Sequence, residues 1–325
     1  MNLAIVGCGI MGRHHAPLAA QCGYRIVACG DTNKANAEAL AKQYGAEATT
    51  DCLALCKRAD VDVVAILTPT PAHVQYVIAA AEAGKQIFCE KPFCRTLDEC
   101  AKAQSAADKA GVKLFVAHVV RYFQEFEAIR AQVLADKVGK VGFVKTSRGG
   151  VCPVGEGGWY RDYSQSGGVT MDTIIHDFDW YRYMFGDPER VFCQNIPEHL
   201  NKGIDYSVVT FRMQNGIIIS TTGTWAQPSG FRVKVEICGE KGMIQFDSND
   251  VPITAIMRDS GDGKAGLVIP GNPVAESPYL LEWQEFTAWL KGGATPRVSV
   301  DDGVWAVRMA LGALESAKTG QPVTF

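Results

Sequence analysis

The sequence has few of the signals that mark membrane, secreted or nucleic-acid-bound proteins. No apolar stretch approaches the ~20 residues that a bilayer-spanning helix needs. The opening residues, Met1-Asn2-Leu3-Ala4-Ile5-Val6-Gly7, carry no cationic start, and their apolar run ends after four residues. A secretory leader needs more than that. The 32 Lys and Arg are spread among 35 Asp and Glu, for a net charge of −3. There is no basic cluster to suit nucleic acid and no acidic tail to act as a solvated arm. The 11 cysteines are odd in number and scattered, and Cys29, Cys89 and Cys238 sit inside apolar runs. A disulfide scaffold would be shorter and more regularly spaced. Reduced thiols in a cytoplasmic protein are expected. Cys52 and Cys56 share a helix face, but no second ligand pair follows at a zinc-like spacing, so no metal is expected.

What is there suits a soluble protein of two domains. The 325 residues exceed one ordinary core, and 47% of them are hydrophobic against 21% charged. The expected partner is a small molecule or a second copy of the chain, with no nucleic acid and no membrane. Up to about residue 120, short apolar runs alternate with helical patterns. Runs at 2–6, 24–29, 61–67, 86–89 and 112–117 read as strands; 10–21, 34–44, 71–83 and 97–110 read as helices. Alternation of this kind implies βαβ crossovers in a parallel sheet, and continuous rather than alternating apolarity implies cover on both faces. After a helix at 125–135, strand-like runs follow one another at 141–148, 191–195, 206–213, 216–224, 231–238 and 243–246. Asn215-Gly216 and Lys241-Gly242 read as hairpin turns between them. Helices at 280–290 and 303–318 close the chain, and the loop 258–278, rich in Gly, Asp and Pro, reads as its most mobile segment. The expected fold is α/β: a doubly wound parallel sheet of Rossmann type over 1–120, then an α/β domain over 121–325 with a large, mostly antiparallel open sheet. The final helix is expected to pack back on the first domain.

Gly7-Cys8-Gly9-Ile10-Met11-Gly12 is a G-x-G-x-x-G that leaves a strand and opens a helix. In that context the glycines permit a tight turn, and the backbone of Gly7, Gly9, Ile10, Met11 and Gly12 can approach a pyrophosphate at the positive end of a helix. Asp31 ends the second strand, where a carboxylate accepts from ribose hydroxyls and repels a 2′-phosphate. The cofactor expected is therefore NAD, with NADP possible because Lys34 is near. Taken alone, the same residues could be a plain turn followed by a helix N-cap.

Two further constellations carry chemistry. Thr68-Pro69-Thr70-Pro71-Ala72-His73 and Glu90-Lys91-Pro92 each leave a strand at the carboxyl edge, where open α/β sheets bind ligands. Thr68, Pro69, Thr70, His73, Glu90 and Lys91 are candidate cofactor residues, and a lysine there can polarise a substrate oxygen. The stretch from Gly167-Gly168 to Trp180 reads as one helix. That spacing places Asp172, His176 and Asp179 on one face, suited to proton transfer or to a surface network. His118 and Arg121 follow the last parallel strand as candidate substrate residues, or as residues with an interdomain salt-bridge or capping role. Trp159 and Tyr160 are candidate walls against a sugar ring, or core aromatics.

These motifs together resemble the glucose–fructose oxidoreductase / inositol dehydrogenase / MocA-type family over nearly the whole chain. The resemblance rests on Gly7–Gly12, Asp31, Thr68-Pro69-Thr70 with His73, Glu90-Lys91-Pro92, the Gly167-Gly168…Asp172…His176 segment and the ending Ser316-Ala317-Lys318-Thr319-Gly320. It implies an NAD(P)-dependent dehydrogenase acting on a CH–OH group of a cyclic polyol or sugar. Lys91, Asp172 and His176 would be its catalytic residues, with Asp172 and His176 also meeting the substrate. It also implies a homodimer or homotetramer formed through the second domain's sheet, where Val208, Ile218 and Val235 would be exposed in a monomer. Two other functions fit the same motifs. One is an enzyme of this fold that retains its cofactor, as a sugar–sugar oxidoreductase or an NAD-dependent glycosidase. The other is an NAD(P) sensor without catalysis, for which a proton relay would have no use.

Overall fold

The apolar run at the start of the chain forms β1 (Asn2–Val6), whose residues from Leu3 onward are buried. The computed structural model describes residues 1–250 and 276–325, the Ser229 side chain excepted. The chain divides into two compact units, Met1–Val119 with Pro278–Val307, and Val120–Ser277 with Arg308–Phe325.

In the first unit β1 is joined by β2 (Arg25–Gly30), β3 (Glu47–Thr49), β4 (Val63–Ile66), β5 (Gln86–Glu90) and β6 (Leu114–Ala117). Their order is β3-β2-β1-β4-β5-β6, and every pairing is parallel. Helices α1 (Ile10–Gln21), α2 (Lys34–Tyr44), α3 (Cys52–Cys56), α4 (His73–Glu82) and α5 (Leu97–Ala110) run between the strands. Local chemistry sets their starts. Asn33 accepts from Ala35 N–H at the head of α2, and Thr96 with Glu99 forms a reciprocal capping box on α5. The chain winds outward from β1 in one direction and from β4 in the other. The crevice at the carboxyl ends of β1 and β4 is thus the topological switch point, where doubly wound sheets hold ligands. The glycine loop, Thr68–Thr70 and Glu90-Lys91 all leave the sheet at this edge.

The second unit opens with α6 (Gln124–Leu134) and β7 (Val141–Val151), followed by α7 (Tyr163–Ser166), α8 (Gly168–Asp172) and α9 (Ile175–Phe185). Then come β8 (Pro188–Asn195), β9 (Tyr206–Met213), β10 (Ile218–Thr224), β11 (Ala226–Gly239) and β12 (Met243–Asp247). Helices α10 (Pro278–Leu290) and α11 (Val300–Thr319) and strand β13 (Val323–Thr324) end the chain. The sheet order is β12-β11-β7-β10-β9-β8-β13. Among the described residues β7 and β10 pair in parallel, and the other pairings are antiparallel. Asn215-Gly216 does turn β9 into β10, with Gly216 at φ +92° and Asn215 Oδ1 accepting from Ile217 N–H at 3.2 Å.

One face of this sheet is covered. Val209 and Phe211 of β9, Ile219 and Thr221 of β10 and Val235 of β11 are buried, and Phe178 of α9 meets Phe211 edge-on at 5.0 Å. The opposite face leaves Phe143, Phe192, Val208, Ile218 and Met243 exposed. Val235 is therefore not an exposed residue as the sequence suggested: the two-residue period of the strand sends it to the covered side.

The chain returns to the first unit with more than the final helix that the sequence reading expected, and not with all of that helix. Helix α10 and the start of α11 belong to the first unit, and only the later part of α11 stays with the second. The anchor is aromatic: Trp283 stacks on Phe88 with centroids 4.1 Å apart and planes at 6°. The short edge strands β3 and β13 carry no periodicity of their own and were not anticipated. The loop expected to be mobile lies outside the described residues up to 275, and its last residue, Pro278, opens α10.

Candidate active site

In the first unit the glycine loop is built by steric exclusion. Gly7 sits at φ +96°, and a Cβ there would lie 2.6 Å from the Leu67 carbonyl carbon. A Cβ on Gly12 would lie 2.1 Å from the Gly7 oxygen, so only glycine lets α1 start this close to the strand. Gly9 is different, because a Cβ there meets nothing within 4 Å. Its missing side chain leaves the backbone open on the outer side of the loop, with Gly9, Ile10 and Met11 half-exposed around it. No side chain caps α1. These features fit a dinucleotide's pyrophosphate.

Asp31 is tied into the same loop. Its Oδ2 accepts from Cys8 N–H at 2.7 Å and its Oδ1 from Asn33 N–H at 2.8 Å. The residue thus fixes the loop. Lys34 is exposed and pairs with Glu38 at 3.6 Å. After β4, the Thr68 hydroxyl is buried with no hydrogen-bond partner among the described residues. A buried hydroxyl without a partner is a position for a ligand to satisfy. Pro69 is exposed and Thr70 buried.

His73 and Glu90 face inward. His73 is fully buried, with Nδ1 2.9 Å from the Pro92 oxygen and Nε2 2.8 Å from the Thr68 oxygen. It bridges two loops of the carboxyl edge and has no nitrogen left for a cofactor. Burial lowers its pKa, the carbonyl contacts notwithstanding. Glu90 Oε1 lies 2.9 Å from His15 Nε2, and Oε2 accepts from Lys91 N–H at 2.9 Å. Burial pushes this carboxyl up; the His15 hydrogen bond and the neighbouring Lys91 outweigh that and hold it below its ordinary value. Lys91 itself is half-buried, and its bond to Pro92 is cis. His118 is fully buried.

In the second unit the expected single helix is two. Ile174 N–H reaches back five residues to the Val169 oxygen at 2.9 Å, and the chain breaks at Thr173-Ile174 between α8 and α9. Local widening of this kind is frequent at functional sites. Asp172 therefore ends α8 while His176 lies in the first turn of α9, so the helical spacing that grouped them does not apply. Gly168, at φ +65°, lets α8 start against Asp205: a Cβ would sit 2.2 Å from Asp205 Oδ2. That oxygen accepts from Val169 N–H at 2.6 Å. Burial raises the Asp205 pKa. Asp172 is 7% exposed, and Thr173 Oγ1 beside it accepts from Trp225 Nε1–H at 2.8 Å. Trp225 and Asp205 are supports that the sequence did not single out; each lies more than 30 residues away in the chain.

Two neighbours of His176 are committed elsewhere. Asp179 takes a bidentate ion pair from Arg121, and Asp177 one from Arg148 at 2.7 and 3.1 Å. Arg121 is 2% exposed and stacks on Tyr183 at 4.4 Å. This corrects both its reading as a substrate residue and the reading of Asp179 as part of a proton relay. Trp159 and Tyr160 are half-buried with ring centroids 4.0 Å apart, and Tyr160 packs edge-on to Trp225 at 6.0 Å. Among the described residues no three His, Cys, Asp or Glu are grouped to hold a metal, and none of the 11 cysteines is in a disulfide.

Residues 1–118 match the family model described as an oxidoreductase family with an NAD-binding Rossmann fold, and residues 126–245 match the GFO/IDH/MocA C-terminal domain. The chain belongs to this oxidoreductase family. It is 30% identical to the uncharacterized oxidoreductase YrbE of Bacillus subtilis (strain 168), covering 98% of this chain and 95% of that one. It is 27% identical to the scyllo-inositol 2-dehydrogenase (NAD(+)) of the same organism, covering 99% and 96%. The crystal structure of a myo-inositol dehydrogenase from Corynebacterium glutamicum ATCC 13032 covers all of this chain and 98% of its own, at TM-score 0.79 and 26% identity. No helix among the described residues is long and apolar enough to cross a membrane.

Proposed function

We propose that the protein is an NAD-dependent dehydrogenase of a secondary alcohol on a cyclic polyol of the inositol type. The observation that carries this reading is full-length kinship with inositol 2-dehydrogenases in a chain that keeps Lys91, Asp172 and His176. Bound NAD supplies the hydride acceptor, at C4 of its nicotinamide. Gly9, Ile10 and Met11 would hold the pyrophosphate, and Asp31 the adenosine ribose. His176 takes the hydroxyl proton, Lys91 polarises the same oxygen, and Asp172 orients and charges the pair.

The presence of Lys91, Asp172 and His176 together favours turnover over sensing, which needs no proton relay. A sugar–sugar oxidoreductase or glycosidase with retained cofactor is separated from this reading by one measurement, the NAD content of the purified protein. The reading itself is tested by screening inositols, sugars and sugar acids with NAD⁺, following nicotinamide absorbance. Reduction with an inositol supports it; inertness toward every cyclic polyol overturns it.

The location expected is cytoplasmic, in keeping with cysteines that form no disulfide among the described residues. The exposed sheet face carrying Phe143, Phe192, Val208, Ile218 and Met243 suits pairing with a second copy as a dimer or tetramer. Light scattering that gave a 35.2 kDa monomer would overturn that assignment.

A further inference from the structure

Glu90 is an unusual place to bury a charge. It is 5% exposed, it stands at the end of β5 beside Lys91, and both of its oxygens are used inside the protein. One accepts from the Lys91 backbone N–H and the other faces His15 Nε2. The role of His15 follows from its second nitrogen. Trp283 Nε1–H donates to His15 Nδ1 at 3.0 Å. Indole nitrogen is only ever a donor, so Nδ1 must offer its lone pair and the ring's proton must sit on Nε2. The His15–Glu90 contact is then a hydrogen bond donated by the imidazole to a carboxylate. His15 is itself fully buried, with Phe88, Tyr279 and Trp283 against its ring.

The result is a directed chain, Trp283 to His15 to Glu90, ending on the amide of Lys91. On the other side of Lys91, His73 contacts the Pro92 oxygen. Only a carboxylate suits position 90. An amide presents one acceptor and one donor, and both groups facing it are N–H donors. Whichever way a glutamine turned, one donor would face another.

We infer that Glu90 and His15 are positioning residues for Lys91: the buried carboxylate fixes the lysine's backbone, and the histidine on the glycine-loop helix α1 fixes the carboxylate. This rests on the proposed role of Lys91 in hydride transfer. It also removes Glu90 from the residues that touch the cofactor. Because α1 also forms the dinucleotide loop, the same bond couples that loop to the catalytic lysine.

The test is a double-mutant cycle on the full-length protein, assayed with NAD⁺ and the inositol it turns over best. Glu90→Gln is expected to lower kcat by about 10–100-fold, the scale of a misplaced catalytic group. NADH affinity, followed by nicotinamide fluorescence, should change by less than about threefold. In a Lys91→Ala background Glu90→Gln should cost less than about twofold, because nothing remains to be positioned. A merely structural role would cost the same factor in both backgrounds, and that result overturns the inference while leaving Lys91 catalytic. If Lys91→Ala alone keeps full activity, the catalytic reading of Lys91 falls, and this inference with it. If Glu90→Gln does not fold, His15→Asn carries the cycle instead. Asparagine keeps an acceptor for Trp283 and loses only the donor to Glu90, so the same non-additivity is expected.

Discussion

Arg121 and Asp179 form a buried, two-pronged ion pair, Nε to Oδ2 at 2.8 Å and Nη2 to Oδ1 at 2.6 Å, with 2% and 1% of their side chains exposed. The pair pins the second turn of α9, three residues beyond His176, to the segment that follows β6. Tyr183 adds a ring beneath the guanidinium. Breaking a pair like this leaves one charge buried without compensation. Asp179→Ala is expected to cost about 3–5 kcal/mol of stability, read by urea unfolding. Replacing both partners, as Arg121→Met with Asp179→Leu, should cost distinctly less, because no orphan charge remains. Equal losses in the single and double variants would show that the pair's electrostatics are irrelevant.

His176→Ala is expected to lower kcat for polyol oxidation by roughly 10²–10⁴-fold, the usual contribution of a positioned base. NADH binding should hardly change. Oxidation needs a base ready to accept a proton, so kcat/KM in the wild type should fall toward acid pH, and this limb should vanish in the variant. An unchanged acid limb would assign the proton to another group.

The pH dependence of stability has a separate source in His14. Burial, then the neighbouring His15, lowers its pKa from 6.5 to about 4. Its Nε2 is buried without a hydrogen-bond partner, and its ring stands edge-on to Tyr279 at 4.5 Å. Between these two values the unfolded chain binds a proton that the folded chain refuses. This contribution to stability is therefore complete above about pH 6.5 and is lost as pH falls toward 4. The loss is at most about 3 kcal/mol, and solvent access reduces it. His14→Phe should show a flatter fall in melting temperature over that window. A slope identical to wild type would rule His14 out as its origin.

Asp31 should set cofactor choice. Its carboxylate opposes a 2′-phosphate, so kcat/KM should favour NAD over NADP by about tenfold or more. Because Asp31 also holds the Cys8 amide, Asp31→Ser should relax that preference and weaken NAD use at the same time. Relaxed preference with NAD efficiency intact would show that the loop keeps its shape without the carboxylate.

The sequence by itself determined the elements whose signals are local. Parallel strands announce themselves by unbroken apolar runs, the glycine loop by Gly7, Gly9 and Gly12 between strand and helix, and the β9–β10 hairpin by Asn215-Gly216. The places of Lys91 and Asp31 in the fold were legible for the same reason, because each directly follows a strand whose carboxyl edge is fixed by topology. What needed partners distant in the chain was decided only in three dimensions. Asp179 and Arg121 are 58 residues apart, and nothing near either shows that they neutralise each other. The break at Thr173-Ile174 interrupts a helix that local spacing reads as continuous; Thr173 is bonded by Trp225, and α8 is held at its start by Asp205. Glu90 read as a cofactor residue because a charged residue at a strand end usually faces ligand. Its inward turn depends on His15 and on Trp283, 268 residues further along the chain from that histidine. Local sequence fixes backbone conformation and polarity, whereas the direction a buried charge faces depends on where its counter-groups come to rest.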